Sequence, residues 1–176
     1  MRNRLLYFFI IFLSLNIQAS NQIENLQEKL QHEQKPDKKY KLLIEIGVAY
    51  IDINMDSARY YLIDKVEKNM HPNLAHLKPR LYHSLGVYMT RAGNYYRALK
   101  YLEKSRKLYV KMGNSKAVAT MYNLMGNALV DSTLHDSALY YYNLAEKAYD
   151  SSMDSLILIK IQANRSNVFI ETNQSD

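Results

Sequence analysis

Ala58, Ala98 and Ala138 recur at a constant interval of 40 residues, and Gly47, Gly86 and Gly126 precede them by 11, 12 and 12. The flanking residues repeat as well: Ile46-Gly47-Val48-Ala49-Tyr50, Leu85-Gly86-Val87-Tyr88 and Met125-Gly126-Asn127-Ala128. Asp56-Ser57-Ala58-Arg59-Tyr60-Tyr61 returns as Asp136-Ser137-Ala138-Leu139-Tyr140-Tyr141. A fixed period of this length marks stacked supersecondary units, none of which can bury its apolar face alone.

The units read as helix pairs. Five glycines and three prolines are too few for an all-β chain, which needs turn residues at short intervals. Short polar turns separate the expected helices: Asn54-Met55-Asp56-Ser57 with Asp56 as N-cap, His71-Pro72-Asn73, Gly93-Asn94, Gly113-Asn114-Ser115, Asp131-Ser132-Thr133 and Asp150-Ser151-Ser152. Gly47, Gly86 and Gly126 fall inside helices, where glycine costs about 1 kcal/mol relative to alanine. That cost makes sense where a second helix crosses closely, with Ala58, Ala98 and Ala138 leaving room on the partner. Leu43, Ile46, Tyr50, Tyr82, Leu85, Met89, Tyr122, Met125 and Leu129 fill the space around each crossing. Leu62, Leu102 and Tyr142 follow the alanines by four residues and share their face.

With Leu85-Gly86 followed by Gly93-Asn94-Tyr95-Tyr96-Arg97-Ala98, the chain resembles tetratricopeptide repeats over about residues 38–171. The period departs from the common 34 and is similar to a long-helix variety of bacterial sensory proteins and peptide receptors. The resemblance implies an all-α fold, a right-handed superhelical solenoid of antiparallel helix hairpins. The expected organisation is a signal peptide over 1–19, a capping helix over 20–36 and a repeat array over 37–176. Its repeats span about 38–71, 74–112 and 115–150, with a partial fourth repeat or capping helix over 153–172. Leu156, Ile157, Leu158, Ile159 and Ile161 are apolar all round that last helix, which suits burial on two sides and favours a truncated fourth repeat over a cap.

In this family extended peptides lie along the wall formed by the first helix of each pair. Counted from the mid-helix glycines, His83, Asn123 and Ala163 are equivalent, as are Val87, Asn127 and Asn167. Asn123 and Asn127 share a face, and Asn164 and Asn167 lie one turn apart. Asparagine carries a donor and an acceptor, so a ladder of them can hold a peptide backbone whatever its side chains. His83, Asn123, Asn127, Asn164 and Asn167 are therefore the candidate peptide groove. The competing reading makes them solvated polar residues, or residues that join adjacent helices.

The N-terminus has a separate logic. Met1-Arg2-Asn3-Arg4 is basic, Leu5 to Leu15 is apolar apart from Ser14, and Ile17-Gln18-Ala19-Ser20 offers a small-residue exit. This is the layout of a secretory signal cleaved after Ala19. An uncleaved segment would instead tie the protein to a membrane. Without cysteine there is no lipid-anchor site, disulfide or thiolate metal site, and export then suits a Gram-negative periplasm or envelope. Loss of Arg2 and Arg4 lowers the net charge from +6 to +4, an excess that asks for no nucleic-acid partner.

Other features have plainer readings. Arg97, Lys100, Lys104, Lys107 and Lys111 form one stripe, best read as a solvated outer face. Most of the 16 tyrosines, including Tyr60-Tyr61, Tyr95-Tyr96 and Tyr140-Tyr141-Tyr142, are expected to pack in the core. Asp56-Ser57-Ala58, Asp131-Ser132-Thr133, Asp136-Ser137-Ala138 and Asp154-Ser155-Leu156 resemble bacterial O-glycosylation acceptors, although capping alone favours Asp and Ser at turns. His32, His71, His76, His83 and His135 lack metal-ligand spacing, and neither a phosphate loop nor a nucleophile elbow is present. The expected protein is an exported, non-catalytic module without cofactors that binds a protein or peptide in a sensory or scaffolding system. The alternative is the N-terminal sensor region of a membrane-bound histidine kinase or helix-turn-helix regulator.

Overall fold

The computed structural model describes residues 18–149 and 155–173, all of whose regular elements are helical. The basic start, the apolar run and the Asp150-Ser151-Ser152 turn lie outside the described residues. Two compact units divide the chain, Met1–Leu74 and Ala75–Asp176.

In the first unit α1 spans residues 18–32, and α2 spans Pro36–Ala49 with proline in its first turn, where no amide donor is needed. The third helix, α3, starts as an α-helix over Met55–Arg59, widens to a π-helix over Tyr60–Val66 and tightens to a 3-10 turn over Glu67–Asn69. Its N-cap is Asn54 rather than the expected Asp56: the Asn54 side-chain oxygen accepts from the Ser57 amide at 2.9 Å. Asp56 sits in the first turn, where its charge complements the helix dipole. Ile23, Ile44, Ile46, Ile51, Ala58, Leu62 and Val66 are buried. Gln27 of α1 donates to the hydroxyls of Tyr50 (3.4 Å) and Tyr61 (3.2 Å), whose rings stack 5.7 Å apart.

At the division between the units, Pro72–Leu77 form a 3-10 segment in place of a simple turn. The second unit holds α4 (Lys78–Arg91), α5 (Tyr95–Lys111), α6 (Ser115–Val130), α7 (His135–Lys147) and α8 (Ser155–Asn173), with successive helices packed as neighbours. Gly93 and Gly113 take the left-handed φ values of 71° and 66° that end α4 and α5. Asn94 and Asn114 then cap the next helices, accepting from the Arg97 and Ala117 amides at 3.2 and 2.9 Å. Between α6 and α7 the same corner is made by Thr133 at φ 63° and by Leu134, which offers no capping side chain.

The periodic glycines form an interlock. A Cβ placed on Gly47 would stand 2.6 Å from Leu62 Cγ, and one on Gly86 would stand 2.5 Å from Leu102 Cδ2. One on Gly126 would strike the ring of Tyr142, lying 2.7 Å from its Cδ1. Ala58, Ala98 and Ala138 are fully buried, yet the notch itself is filled by the residue four positions further on. A large side chain on the second helix thus takes the space that the glycine leaves on the first.

Candidate functional site

The inner sides of α4, α6 and α8 enclose a groove of about 300 Å³ in the second unit. Val87, Asn127 and Asn167 line it at 40-residue steps, as the repeat register predicts. One helical turn further along lies a second row, Arg91, Asp131 and Glu171, at the same interval. Residues four apart share a helix face, so the first row carries the second with it. The spacing contained this second row; its mixed charge hid it from a search for repeated residue types.

The floor is a hydrogen-bonded network. Tyr142 reaches across from α7, and its hydroxyl donates to Asn127 Oδ1 at 2.8 Å. The Asn164 amide of α8 donates to the same oxygen at 3.0 Å and to Asn123 Oδ1 at 3.1 Å. Three helices are thereby joined through two asparagine oxygens, as buried polar groups require partners. Burial pushes the Tyr142 phenol up to about 12, with the negative charges of Asp131 and Glu171 adding to the effect. It therefore stays protonated and donates at all ordinary pH.

The candidates identified from the sequence separate into two groups. Asn127, Asn164 and Asn167 meet in the groove; Asn123 and His83 do not line it. Asn123 is half-buried and holds Asn164 in place, the helix-joining role rather than a ligand contact. His83 is half-buried, and burial, with the positive Arg80 adding, holds its imidazole below the ordinary range.

The α5 basic stripe is exposed throughout, an outer face as expected. Lys100 lies over the Tyr96 ring at 4.3 Å, and Lys104 over both Tyr82 and Tyr101 at 5.3 Å. Arg106 makes paired 2.7 Å contacts to Glu103 and covers Tyr122. Most of the described tyrosines are buried or half-buried, as expected, with Tyr109, Tyr122 and Tyr141 packed against the core. Of the paired clusters only Tyr142 is buried, whereas Tyr60, Tyr96 and Tyr140 are exposed. Helical geometry explains this, because Tyr60 and Tyr140 lie two residues after the buried alanine and so point away from it.

Among the described residues no group of His, Cys, Asp and Glu could hold a metal ion, and no helix is long and apolar enough to cross a membrane. A wider cleft in the first unit, between α1 and α2, is lined by opposed charges that include Glu33 and Lys38, 4.0 Å apart.

A family model described as tetratricopeptide repeat matches residues 78–151, the span from the start of α4 to just beyond α7. Neither the curated proteins nor the solved structures yielded a match. On that match, and on the interlock of Gly86 with Leu102 and Gly126 with Tyr142, residues 78–151 form tetratricopeptide repeats, running through α4 to α7.

Proposed function

We propose that the α4–α6–α8 groove binds an extended segment of a protein or peptide, and that the chain is a non-catalytic interaction module. The fixed polarity of the floor carries this reading. With its oxygen committed to Tyr142 and Asn164, Asn127 offers a ligand only its N–H donors. With its amide committed to Asn123 and Asn127, Asn164 offers only its oxygen. A donor beside an acceptor complements the carbonyl and amide of an extended backbone. The Arg91, Asp131 and Glu171 row lies one turn away and would set the preference for side-chain charge.

The test is selection of binders from a random peptide library on the full chain, followed by Asn167→Ala. Asn167 is exposed and lines the groove, so its loss should lower affinity by roughly tenfold without changing the melting temperature. Peptides that bind the variant equally well would show that the groove is not the site. The basic start, apolar run and small-residue exit of residues 1–20 support export to a periplasm or envelope, in a sensory or scaffolding system. Fractionation of cells carrying a C-terminally tagged chain tests this, a cytosolic product of uncleaved length being the contrary result.

A further inference from the structure

From α4 to α7 the last turns of the helices follow one rule, with α6 as the exception. A helix ends with a partial negative charge of about half an elementary charge, which a basic side chain in the last turn offsets. Arg91 on α4, Lys111 on α5 and Lys147 on α7 hold that place. The last turn of α6 holds no basic residue, and its C-cap is Asp131. A carboxylate there adds to the charge of the helix end instead of opposing it. Asp131 is exposed and makes no ion pair among the described residues.

This end of α6 opens into the groove. Asp131 lines it from α6, and Glu171 lines it from α8 at the equivalent position one repeat on. The Tyr142 phenol borders the same space, and besides burial the negative charges of both carboxylates hold its proton more tightly. Its hydrogen goes to Asn127, so its oxygen can only accept. Two carboxylates and a phenol oxygen, all acceptors, thus come to one groove from three helices. Among the described residues that line it, Arg91 is the sole basic one, and it lies on α4, one repeat before Asp131. Among the described residues no third carboxylate or imidazole joins Asp131 and Glu171 as a metal-holding group, which favours an organic cation over a metal ion.

We infer that the α6–α8 side of the groove seats a lysine or arginine side chain of the bound segment, with Asp131 as its main partner. This seat rests on the reading of the groove as a site for an extended segment, and it names the side chain accepted there. The incoming cation takes at α6 the place that Arg91 takes at α4. Its charge offsets both the carboxylate and the helix end, and it donates to oxygens that have no hydrogen to give. The backbone of the segment lies over Asn127 and Asn164, one turn from the charged row. An acidic side chain at this point meets repulsion from the same carboxylates, so charge decides which segments are accepted.

Peptides selected from a random library on the full 176-residue chain should carry lysine or arginine at one fixed position. Replacing that residue by glutamine in one such peptide should weaken binding roughly tenfold, and Asp131→Asn should do the same. The two changes together should cost no more than either alone, because both remove one contact. Asp131→Asn should leave the melting temperature unchanged or higher, since it takes a negative charge from a helix end. Asp131→Lys should turn the selection towards peptides with an acidic residue at that position. Binders that Asn167→Ala weakens but that need no cation would overturn the seat and leave the groove standing. A required cation whose loss adds in full to that of Asp131→Asn would overturn the seat in the same way. If no binder responds to Asn167→Ala, both the seat and the groove fall.

Discussion

In the hairpin α4/α5 the notch at Gly86 receives the aliphatic Leu102, whereas in α6/α7 the notch at Gly126 receives the ring of Tyr142. Each hairpin also buries polar atoms, but differently. The first joins Ser105 to the Pro79 carbonyl at 2.7 Å, while the second has Ala145 at the position of Ser105. The second instead runs its polar contact through Tyr142 to Asn127 and thence to Asn164 of α8. One backbone plan thus supports a dry hairpin and one whose core opens, through a phenol, onto the groove. Repetition fixes where a side chain must enter, and leaves open whether its far end is apolar or polar.

The largest expected effect tests the shared part of the plan. Gly86→Ala and Gly126→Ala should each destabilise the protein by about 2–3 kcal/mol in chemical denaturation, because the contacted side chains, Leu102 reached as far as its Cγ and the ring of Tyr142, are buried and have no free space to move into. Gly126→Ala should cost at least as much, since a phenol ring yields less readily than an isobutyl group. Loss of under half a kcal/mol at either site would remove the interlock from the account.

Next comes the part that differs. Tyr142→Phe should cost about 1 kcal/mol by taking a donor from Asn127 Oδ1. The native phenol keeps its proton to about 12 and an unfolded one to about 10, so its contribution is complete below pH ~10 and fades as the pH rises towards 12. The phenylalanine variant should lose that alkaline decline, as measured by urea titration at several pH values. Leu102 provides no such dependence.

A smaller effect should come from the corners. Thr133 holds a left-handed φ of 63° where the earlier hairpin has Gly93, a strain of about 1 kcal/mol for a β-branched residue. Thr133→Gly should raise the melting temperature, and Gly93→Thr should lower it. Equal, negligible shifts would show that the two corners do not differ in strain.

The smallest effect concerns acid. His83 has its pKa lowered in the native state, so the unfolded chain takes up the proton more readily. Stability should be complete above the ordinary imidazole range and decline as pH falls through it. His83→Gln should flatten this limb, and an unchanged limb would place its origin in another group.

The groove was partly legible before any fold was known. The register of Val87, Asn127 and Asn167 follows from the period, and these residues do line one wall. Asn123 belongs to the same sequence pattern but serves Asn164 instead, because one turn before Asn127 the shared face of α6 meets α8 rather than the opening. In α8 Ile161 and Val168 are buried, whereas Ile159 and Ile170 are exposed. The π-helical stretch of α3 was not legible, since Tyr60–Val66 carries no proline or glycine to mark it.

Sequence alone determined the helix pairs, the positions of the notches and the glycine corners at Gly93 and Gly113, because these depend on local sterics and a fixed spacing. Tertiary structure decided which atoms remain for a ligand. Tyr142 lies 15 residues from Asn127, and Asn164 lies 41 from Asn123. The direction in which each amide points is fixed only when those distant partners arrive, since a hydrogen bond has a donor and an acceptor and spacing specifies neither.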